Sequence, residues 1–162
     1  MRSSNRLLRT MHDIRLLYSS VGQTGLDYPA LTSILRAASP NNVKLGITGI
    51  LVFGSGMFLQ ALEGERAAVN RLYTRILRDP RHTDCQILDC GDIEIRRFPA
   101  WSMKLISLDD APTSDRRDLV GKHFGAHGLD PSRLSGAGAY AFLSELTSLE
   151  GAAPRRAVIA AR

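Results

Sequence analysis

Residues 47–62 read Ile-Thr-Gly-Ile-Leu-Val-Phe-Gly-Ser-Gly-Met-Phe-Leu-Gln-Ala-Leu. Two apolar runs, 47–53 and 57–62, are joined by Gly54-Ser55-Gly56. Short apolar runs rich in β-branched and aromatic residues, separated by a short loop that contains glycine, are typical of a β-hairpin. The stretch therefore predicts two antiparallel strands.

The hairpin has a strand and a helix on each side in the sequence. Before it, residues 14–19 form a short apolar run typical of a strand, and residues 27–39 have helical spacing that Pro40 is expected to end. After it, residues 68–77 have the spacing of an amphipathic helix, which ends before Pro80. Two later runs predict an interrupted strand over residues 86–96 and a last strand over residues 101–108.

The order of these elements is β-α-β-β-α-β with one extra strand. It predicts an α+β fold of the ferredoxin-like type, in which both helices pack on one face of the sheet. Two further helical segments, residues 114–124 and 130–149, are expected to cover the other face. In this plan the first and third strands are neighbours.

The charge of the chain is concentrated in its two ends. The 162 residues carry a formal charge of +5, which by itself favours a nucleic-acid partner. However, residues 1–10 and 151–162 contain six arginines and no acid, so the region between them is close to neutral. A nucleic-acid-binding module on a ferredoxin-like sheet remains the alternative function, and it requires exposed aromatic side chains on a sheet face.

The usual enzyme and metal motifs are absent from the sequence. There is no glycine-rich phosphate loop, no Cys-x-x-Cys pair and no Gly-x-Ser-x-Gly turn. His123 and His127 are four residues apart but have no third ligand nearby, so no metal site is expected. Two cysteines are too few for a disulfide framework, and no run of residues is long and apolar enough for a signal peptide or a membrane span. We therefore expect a cytoplasmic protein that has no membrane partner.

Two polar residues interrupt the apolar strands. Gln60 shares a strand face with Phe58 and Leu62, and Tyr18 shares one with Ile14. A buried amide without partners costs about 1–3 kcal/mol, so both side chains should have hydrogen-bond partners. Because the first and third strands are expected to be neighbours, Tyr18 and Gln60 can meet. On these grounds alone, the favoured explanation of the pair is a hydrogen bond that completes the core.

Five blocks of sequence resemble one known family, the BLUF domain, a sensor of blue light that uses FAD. The resemblance covers about residues 12–106, and the blocks occur in order and at suitable spacing. They are Leu17-Tyr18-Ser19, residues 41–49 (Asn-Asn-Val-Lys-Leu-Gly-Ile-Thr-Gly), residues 58–64 (Phe-Leu-Gln-Ala-Leu-Glu-Gly), residues 78–82 (Arg-Asp-Pro-Arg-His) and residues 97–103 (Arg-Phe-Pro-Ala-Trp-Ser-Met).

The resemblance implies a flavin held noncovalently between the two helices that pack on the sheet. FAD is the expected cofactor, with FMN or riboflavin as alternatives. Asn42 is expected to hydrogen-bond the polar edge of the isoalloxazine ring, and Gln60 to bridge Tyr18 to that edge. Further neighbours of the flavin are expected to be the polar residues Asn41, Arg81 and His82 and the apolar residues Ile34, Ile47 and Leu51.

The resemblance also implies a mechanism without net chemistry on a substrate. Blue light is expected to rearrange the hydrogen bonds among Tyr18, Gln60 and the flavin, and the last strand to carry the change outward. Trp101 and Met103 lie two apart on that predicted strand and so should face the same way. Met103 is expected to be the closer contact of Gln60. A flavoenzyme is a further alternative, which requires an acid or base beside the flavin.

The predicted organisation has four parts. A basic N-terminal extension spans residues 1–10, the flavin-binding photosensor domain residues 11–106, a helical cap or output region residues 107–150, and a basic tail residues 151–162. The output region is expected to engage an unidentified downstream protein in trans, and the chain to form a homo-oligomer.

Overall fold

The computed structural model describes residues 12–110 and 112–151. The elements in chain order are β1 (Asp13–Gly22), α1 (Tyr28–Lys44), β2 (Thr48–Gly54), β3 (Met57–Glu65), α2 (Arg66–Ile76), β4 (His82–Ile93), β5 (Lys104–Ser107), α3 (Ser114–Phe124) and α4 (Gly136–Leu149), with short 3₁₀ turns at Gly125–His127 and Pro131–Arg133.

The strands form one sheet in the order β4-β1-β3-β2-β5. Neighbours pair antiparallel except β2 and β5, which run parallel. The predicted α+β fold with an extra strand is confirmed, and β1 and β3 are neighbours at the middle of the sheet. The extra strand, β5, lies at the edge beside β2.

The turn between β2 and β3 contains two residues, because Gly54 belongs to β2. Ser55 and Gly56 have φ angles of 51° and 75°, and left-handed values at both positions are typical of the tight turn that suits twisted hairpins. Serine rarely adopts such an angle, but the carboxylate of Asp109 accepts a hydrogen bond from the Ser55 amide at 3.0 Å. This contact supports the predicted hairpin from the loop that follows β5.

Both faces of the sheet are covered by helices, as predicted. On one face, Leu31 of α1 and Leu72 of α2 are buried near strand residues that include Leu16 and Phe58. On the other face, α3 and α4 share a core with β1, β2, β3 and β5. Alternate residues of β1 and β3 point to the two faces, so each strand contributes to both cores.

The prediction that Pro40 ends the first helix is wrong, since α1 continues to Lys44. A proline inside a helix removes one backbone hydrogen bond and costs about 3 kcal/mol. Contacts beyond the proline offset this cost: Asn42 is buried, its carbonyl accepts from the amide of Ile47 at 2.9 Å, and the Leu45 amide donates to the Asn41 carbonyl at 3.0 Å. The added turn places Asn41 and Asn42 on the helix.

Other boundaries also differ from the sequence prediction. β4 is one strand from His82 rather than an interrupted one, because pairing with β1 holds it although most of its side chains are exposed. β5 begins at Lys104, three residues later than predicted. α4 begins at Gly136 rather than at residue 130, because the Ser135 hydroxyl caps it by accepting from the Gly138 amide at 3.1 Å.

The two arginine-containing ends largely lie outside the described residues. This applies to the predicted extension over residues 1–10 and to the predicted tail apart from Gly151. Among the helices of residues 12–110 and 112–151, none combines the length and the apolar character needed to cross a bilayer.

Candidate functional site

A cleft of about 290 Å³ opens between α1 and α2 above the sheet. This volume lies at the lower end of the range of small-molecule sites, about 300–1,000 Å³. The residues that line it are Ile34, Leu35, Ala37, Ala38, Asn41 and Asn42 of α1, Leu51 and Gln60 of the sheet, Leu72, Arg75 and Ile76 of α2, and Asp79, Arg81, His82 and Met103.

Tyr18 and Gln60 are brought together at the floor of this cleft. They are direct partners across β1 and β3, and the Tyr18 hydroxyl donates a hydrogen bond to Oε1 of Gln60. Tyr18 is fully buried, and this burial raises its pKa well above the usual value. The phenol therefore keeps its proton at neutral pH and serves as a donor to the amide oxygen.

The same amide reaches Met103. Nε2 of Gln60 lies 3.2 Å from Sδ of Met103. Because the thioether is only an acceptor, Nε2 donates in this contact. Gln60 thus accepts from Tyr18 at one end of its amide and donates to Met103 at the other.

Trp101 and Met103 precede β5, so the predicted strand alternation does not apply to them. The Trp101 carbonyl accepts a hydrogen bond from the amide of Gly49 at 3.1 Å, and its ring lies 5.7 Å from Nζ of Lys104. Trp101 is not among the residues that line the cleft, whereas Met103 is. The thioether, and not the indole, therefore contacts Gln60 in this structure.

Gly49 is a residue of the site that the sequence reasoning missed. A Cβ at this position would lie 2.0 Å from the Ala61 carbonyl oxygen and 3.3 Å from Cε of Met103. Only glycine therefore allows β2 to approach β3 this closely while Met103 packs beside them. The sequence offered one indication of its importance, because Gly49 ends the block at residues 41–49 that resembles the family.

Asn42 offers the cleft an unused hydrogen-bonding atom. Its side chain is 2% exposed and its Nδ2 donates to the Ser102 carbonyl at 3.2 Å. Its Oδ1 is buried and has no partner among the described residues. A buried acceptor without a partner is unfavourable by about 1–3 kcal/mol. An isoalloxazine ring carries an N–H beside two carbonyls at its polar edge, so this atom fits the flavin that the sequence resemblance implies.

The other predicted flavin neighbours are distributed as follows. Asn41, Arg81, His82, Ile34 and Leu51 line the cleft, as do Gln60 and Asn42. Ile47 does not: its side chain is 1% exposed and belongs to the core cluster that contains Leu62 and Ala68. Ile47 therefore packs beneath α2 rather than in the cleft lining, and its role as a neighbour of the ring stays a prediction.

The pair Arg81 and His82 forms one wall of the cleft. Nδ1 of His82 lies 2.8 Å from the Ser20 hydroxyl, and burial lowers the pKa of the imidazole. Nε of Arg81 donates to Asp79 at 2.8 Å, and this hydrogen bond lowers the pKa of the Asp79 carboxyl. At neutral pH the wall therefore consists of a neutral imidazole and a paired guanidinium.

The individual residues of α2 that border the cleft were also missed. Leu72, Arg75 and Ile76 line it, and their spacing of three and four residues places them on one helix face. That spacing was visible in the sequence, but it identified a core face without showing that part of the face borders a cleft.

The geometry also bears on the alternative functions. The sheet aromatics Tyr18, Phe53 and Phe58 are buried, whereas a nucleic-acid-binding sheet presents its aromatics to solvent. A flavoenzyme requires an acid or base beside the flavin, and Glu63, a carboxylate of β3, is fully buried on the opposite side of the sheet from the cleft. Glu65 is the N-cap residue of α2.

Comparisons with known proteins agree with this arrangement. A sequence model of the BLUF family, described as sensors of blue light using FAD, matches residues 14–104. The beta subunit of photoactivated adenylate cyclase from Euglena longa is 38% identical over 89 residues, which is 54% of this chain and 10% of that protein. The blue light- and temperature-regulated antirepressor BluF of Escherichia coli K12 is 32% identical over 93 residues, 57% of this chain and 23% of that protein. The chain thus matches about a tenth of the length of the cyclase subunit.

Two solved structures match most of this chain and most of their own length. BlrB, a BLUF protein in its dark state, superposes with a TM-score of 0.70 at 32% identity, covering 86% of this chain and 97% of BlrB. The photo-activated state of BlsA gives a TM-score of 0.73 at 29% identity, covering 83% of this chain and 94% of BlsA. From the family match and these structures, the chain belongs to the BLUF family, sensors of blue light that use FAD.

Proposed function

We propose that this chain is a blue-light photoreceptor that binds FAD in the cleft between α1 and α2 and signals to a partner protein in trans, without catalysing a reaction on a substrate. The observation that carries the proposal is the hydrogen-bond chain from Tyr18 through Gln60 to Met103 at the floor of the cleft.

The cleft contains hydrogen-bonding groups and apolar side chains that suit a flavin ring. Oδ1 of Asn42 is a free acceptor for a ring N–H, and Gln60 presents its amide at the same floor. Leu51, Leu72 and Ile34 add apolar lining for a flat aromatic ring. When bound, the flavin absorbs blue light and in its excited state accepts an electron.

Tyr18 is the donor residue of this proposal. Its phenol is buried and protonated, and its only described hydrogen bond is to Gln60. A change in the charge or proton content of the phenol therefore acts first on the orientation of the Gln60 amide.

Gln60 is the switch because its amide has chemically different ends. In the structure, Oε1 accepts from Tyr18 and Nε2 donates to Met103. If the amide rotates by half a turn, its acceptor oxygen replaces the donor that faces Met103. The thioether has no hydrogen to donate in return. Rearrangement at Gln60 therefore releases Met103 and the segment that leads into β5.

The surface that follows β5 is the proposed output. Helices α3 and α4 pack on the sheet face opposite the cleft, and the exposed residues of α3 are mostly charged. A light-dependent coupling of about 1–3 kcal/mol changes the affinity of a partner several-fold. The cytoplasmic location and homo-oligomeric state expected from the sequence stay predictions, to be checked by fractionation and light scattering.

The function is tested with purified full-length protein in darkness and under blue light. Chromatography of the released cofactor distinguishes FAD from FMN and riboflavin, and an absorbance difference spectrum reports the switch. Capture of proteins by the chain in each condition then tests signalling in trans. A protein that binds FAD and shifts its spectrum but captures the same proteins equally in both conditions would contradict the partner part of the proposal.

A further inference from the structure

The sheet face opposite the cleft contains a buried carboxylate that holds the segment leading to Met103. Glu63 of β3 is fully buried. Its carboxylate accepts hydrogen bonds from the backbone amides of Arg97 and Phe98 at 3.1 and 2.9 Å, and from Nε of Arg15 at 2.7 Å. Three donors satisfy the buried charge, so the start of the loop between β4 and β5 is fixed to the middle of the sheet.

The side chain of Arg97, in the same loop, contacts helix α4. Nη2 of Arg97 donates to the Ser144 carbonyl at 3.0 Å and to the Ser148 hydroxyl at 3.1 Å. The first half of α4 is held separately, because the guanidinium of Arg15 lies 4.4 Å from the centre of the Tyr140 ring. Arg97 therefore ties the second half of α4 to the loop by hydrogen bonds, beside Phe98, which is buried in the same core as Leu143 and Leu146.

The contact between Arg97 and α4 is incompletely satisfied. Nη1 of Arg97 and the hydroxyl of Ser144 are both buried and have no hydrogen-bond partner among the described residues. Each such atom is unfavourable by about 1–3 kcal/mol. The contact is therefore weaker than its two hydrogen bonds suggest.

Residues 98–102 separate Arg97 from Met103, the contact of Gln60. Ser102 is held by Asn42 and Ser39 on the cleft side, with distances of 3.2 Å from Nδ2 of Asn42 to its carbonyl and 2.7 Å between the two hydroxyls. Met103 follows it in the chain. Residues 99–101 connect Ser102 to Phe98, whose amide donates to Glu63.

We propose that Arg97 is the positioning residue that couples the Met103 segment to helix α4: it holds the second half of α4 against the sheet in darkness and releases it when Gln60 lets go of Met103. This inference rests on the proposed function, since it requires the light-driven change at Gln60.

The experiment measures amide hydrogen exchange of residues 144–149 in the flavin-loaded full chain, in darkness and under continuous blue light. Wild-type protein is expected to exchange about five- to tenfold faster in light, as for a typical coupling between sites. In Arg97→Met, dark exchange is expected to equal the wild-type rate in light, with less than about twofold further change on illumination. The flavin difference spectrum of this variant should stay that of the wild type, because Arg97 lies away from the cleft.

Arg116→Met is the matched control. Arg116 also holds the end of α4, through an Nε–Glu150 hydrogen bond of 2.9 Å, but it lies on α3 and does not touch the loop. This control should raise exchange in both conditions and keep the ratio of light to dark rates. If Arg97→Met does not fold, Ser148→Ala replaces it. The ratio of light to dark exchange rates in Ser148→Ala should lie between the wild-type ratio and a ratio of one, which means no effect of light.

Several outcomes would overturn the inference. One is a wild-type light-to-dark ratio in Arg97→Met. Another is loss of that ratio in Lys104→Met instead, since Lys104 of β5 lies 3.9 Å from Glu150 and offers a competing route. A wild-type protein whose spectrum shifts in light while α4 exchange stays constant contradicts this inference alone. A wild-type protein without the spectral shift contradicts the proposed function itself.

Discussion

Nε2 of Gln60 lies 3.2 Å from Sδ of Met103, and the other end of the same amide accepts the hydroxyl of Tyr18. One amide therefore joins a buried phenol on β1 to the segment that enters β5. The orientation of this amide is defined by its partners, because the phenol donates and the thioether accepts.

Removal of either end of the Tyr18–Gln60 pair should keep flavin binding but abolish the normal photocycle. Gln60→Leu deletes the polar amide, and Tyr18→Phe deletes the hydroxyl that orients it, with little change in volume. Absorbance spectra recorded before and after blue light check both variants. A full red shift in either one would place the switch at another residue.

Replacement of Met103 should affect the lit state more than replacement of Trp101. Met103→Leu removes the sulfur that accepts from Gln60 at little change in volume, whereas the Trp101 ring lies beside Lys104 and outside the cleft lining. We expect the rate of dark recovery to change by about tenfold in Met103→Leu, as for one hydrogen bond of about 1.4 kcal/mol. Trp101→Phe should change it by less than about twofold. The opposite ranking, measured by absorbance after a light pulse, would assign the coupling to Trp101.

Asn42→Ala should weaken flavin binding by about tenfold, because it removes one hydrogen bond to the ring and leaves the Ser102 carbonyl without its Asn42 donor. Asn41→Ala is the matched control: the neighbouring amide also lines the cleft but is less buried. We expect its dissociation constant, measured by fluorescence titration of the apoprotein, to rise by less than about threefold. Equal losses in both variants would argue against a specific role for Asn42.

Glu63→Ala should lower the free energy of unfolding by about 3–5 kcal/mol, since it leaves the Arg15 guanidinium and two backbone amides without their acceptor. Glu63→Gln retains one acceptor oxygen and should cost less. Glu65→Gln serves as a control with a change below about 0.5 kcal/mol, because the Glu65 side chain makes no capping hydrogen bond. Urea denaturation measures all three, and an Ala variant as stable as wild type would contradict the anchoring role of Glu63.

The stability of the protein should fall in mild acid in part through His82. Burial lowers the pKa of this imidazole, so the unfolded chain takes up a proton near pH 6.5 while the folded chain does not. The stabilisation of the folded state by neutral His82 is therefore complete above about pH 6.5. It is lost as the pH falls from there toward the lowered folded-state pKa. The drop in Tm between about pH 7.5 and 5.5 should be smaller in His82→Gln than in wild type; an equal drop would contradict this origin.

The sequence predicted the placement of side chains correctly where the alternation of a β-strand applied. Alternation along β1 and β3 placed Tyr18 and Gln60 on one face, and the structure makes them cross-strand partners. The rule failed for Trp101 and Met103, because β5 begins only at Lys104 and tertiary contacts to Gly49 and Asn42 decide their positions.

Long-range contacts explain the other differences as well. Pro40 signals a helix end locally, but the burial of Asn42 extends α1 past it. Arg97 was visible only as part of a family block, and its contact with α4 depends on a carboxylate 34 residues earlier in the chain. No local pattern reports such a contact, since it exists only after the sheet and the C-terminal helices have packed together.

In the proposed function, light rearranges the hydrogen bonds of Gln60 beside a bound flavin. This rearrangement is tested by the absorbance spectrum of the purified wild-type chain in darkness, under blue light and again in darkness. We expect a yellow protein whose flavin band shifts to longer wavelength in light and returns fully in the dark. A colourless protein that does not take up added FAD, or a bound flavin whose spectrum blue light leaves unchanged, would contradict it.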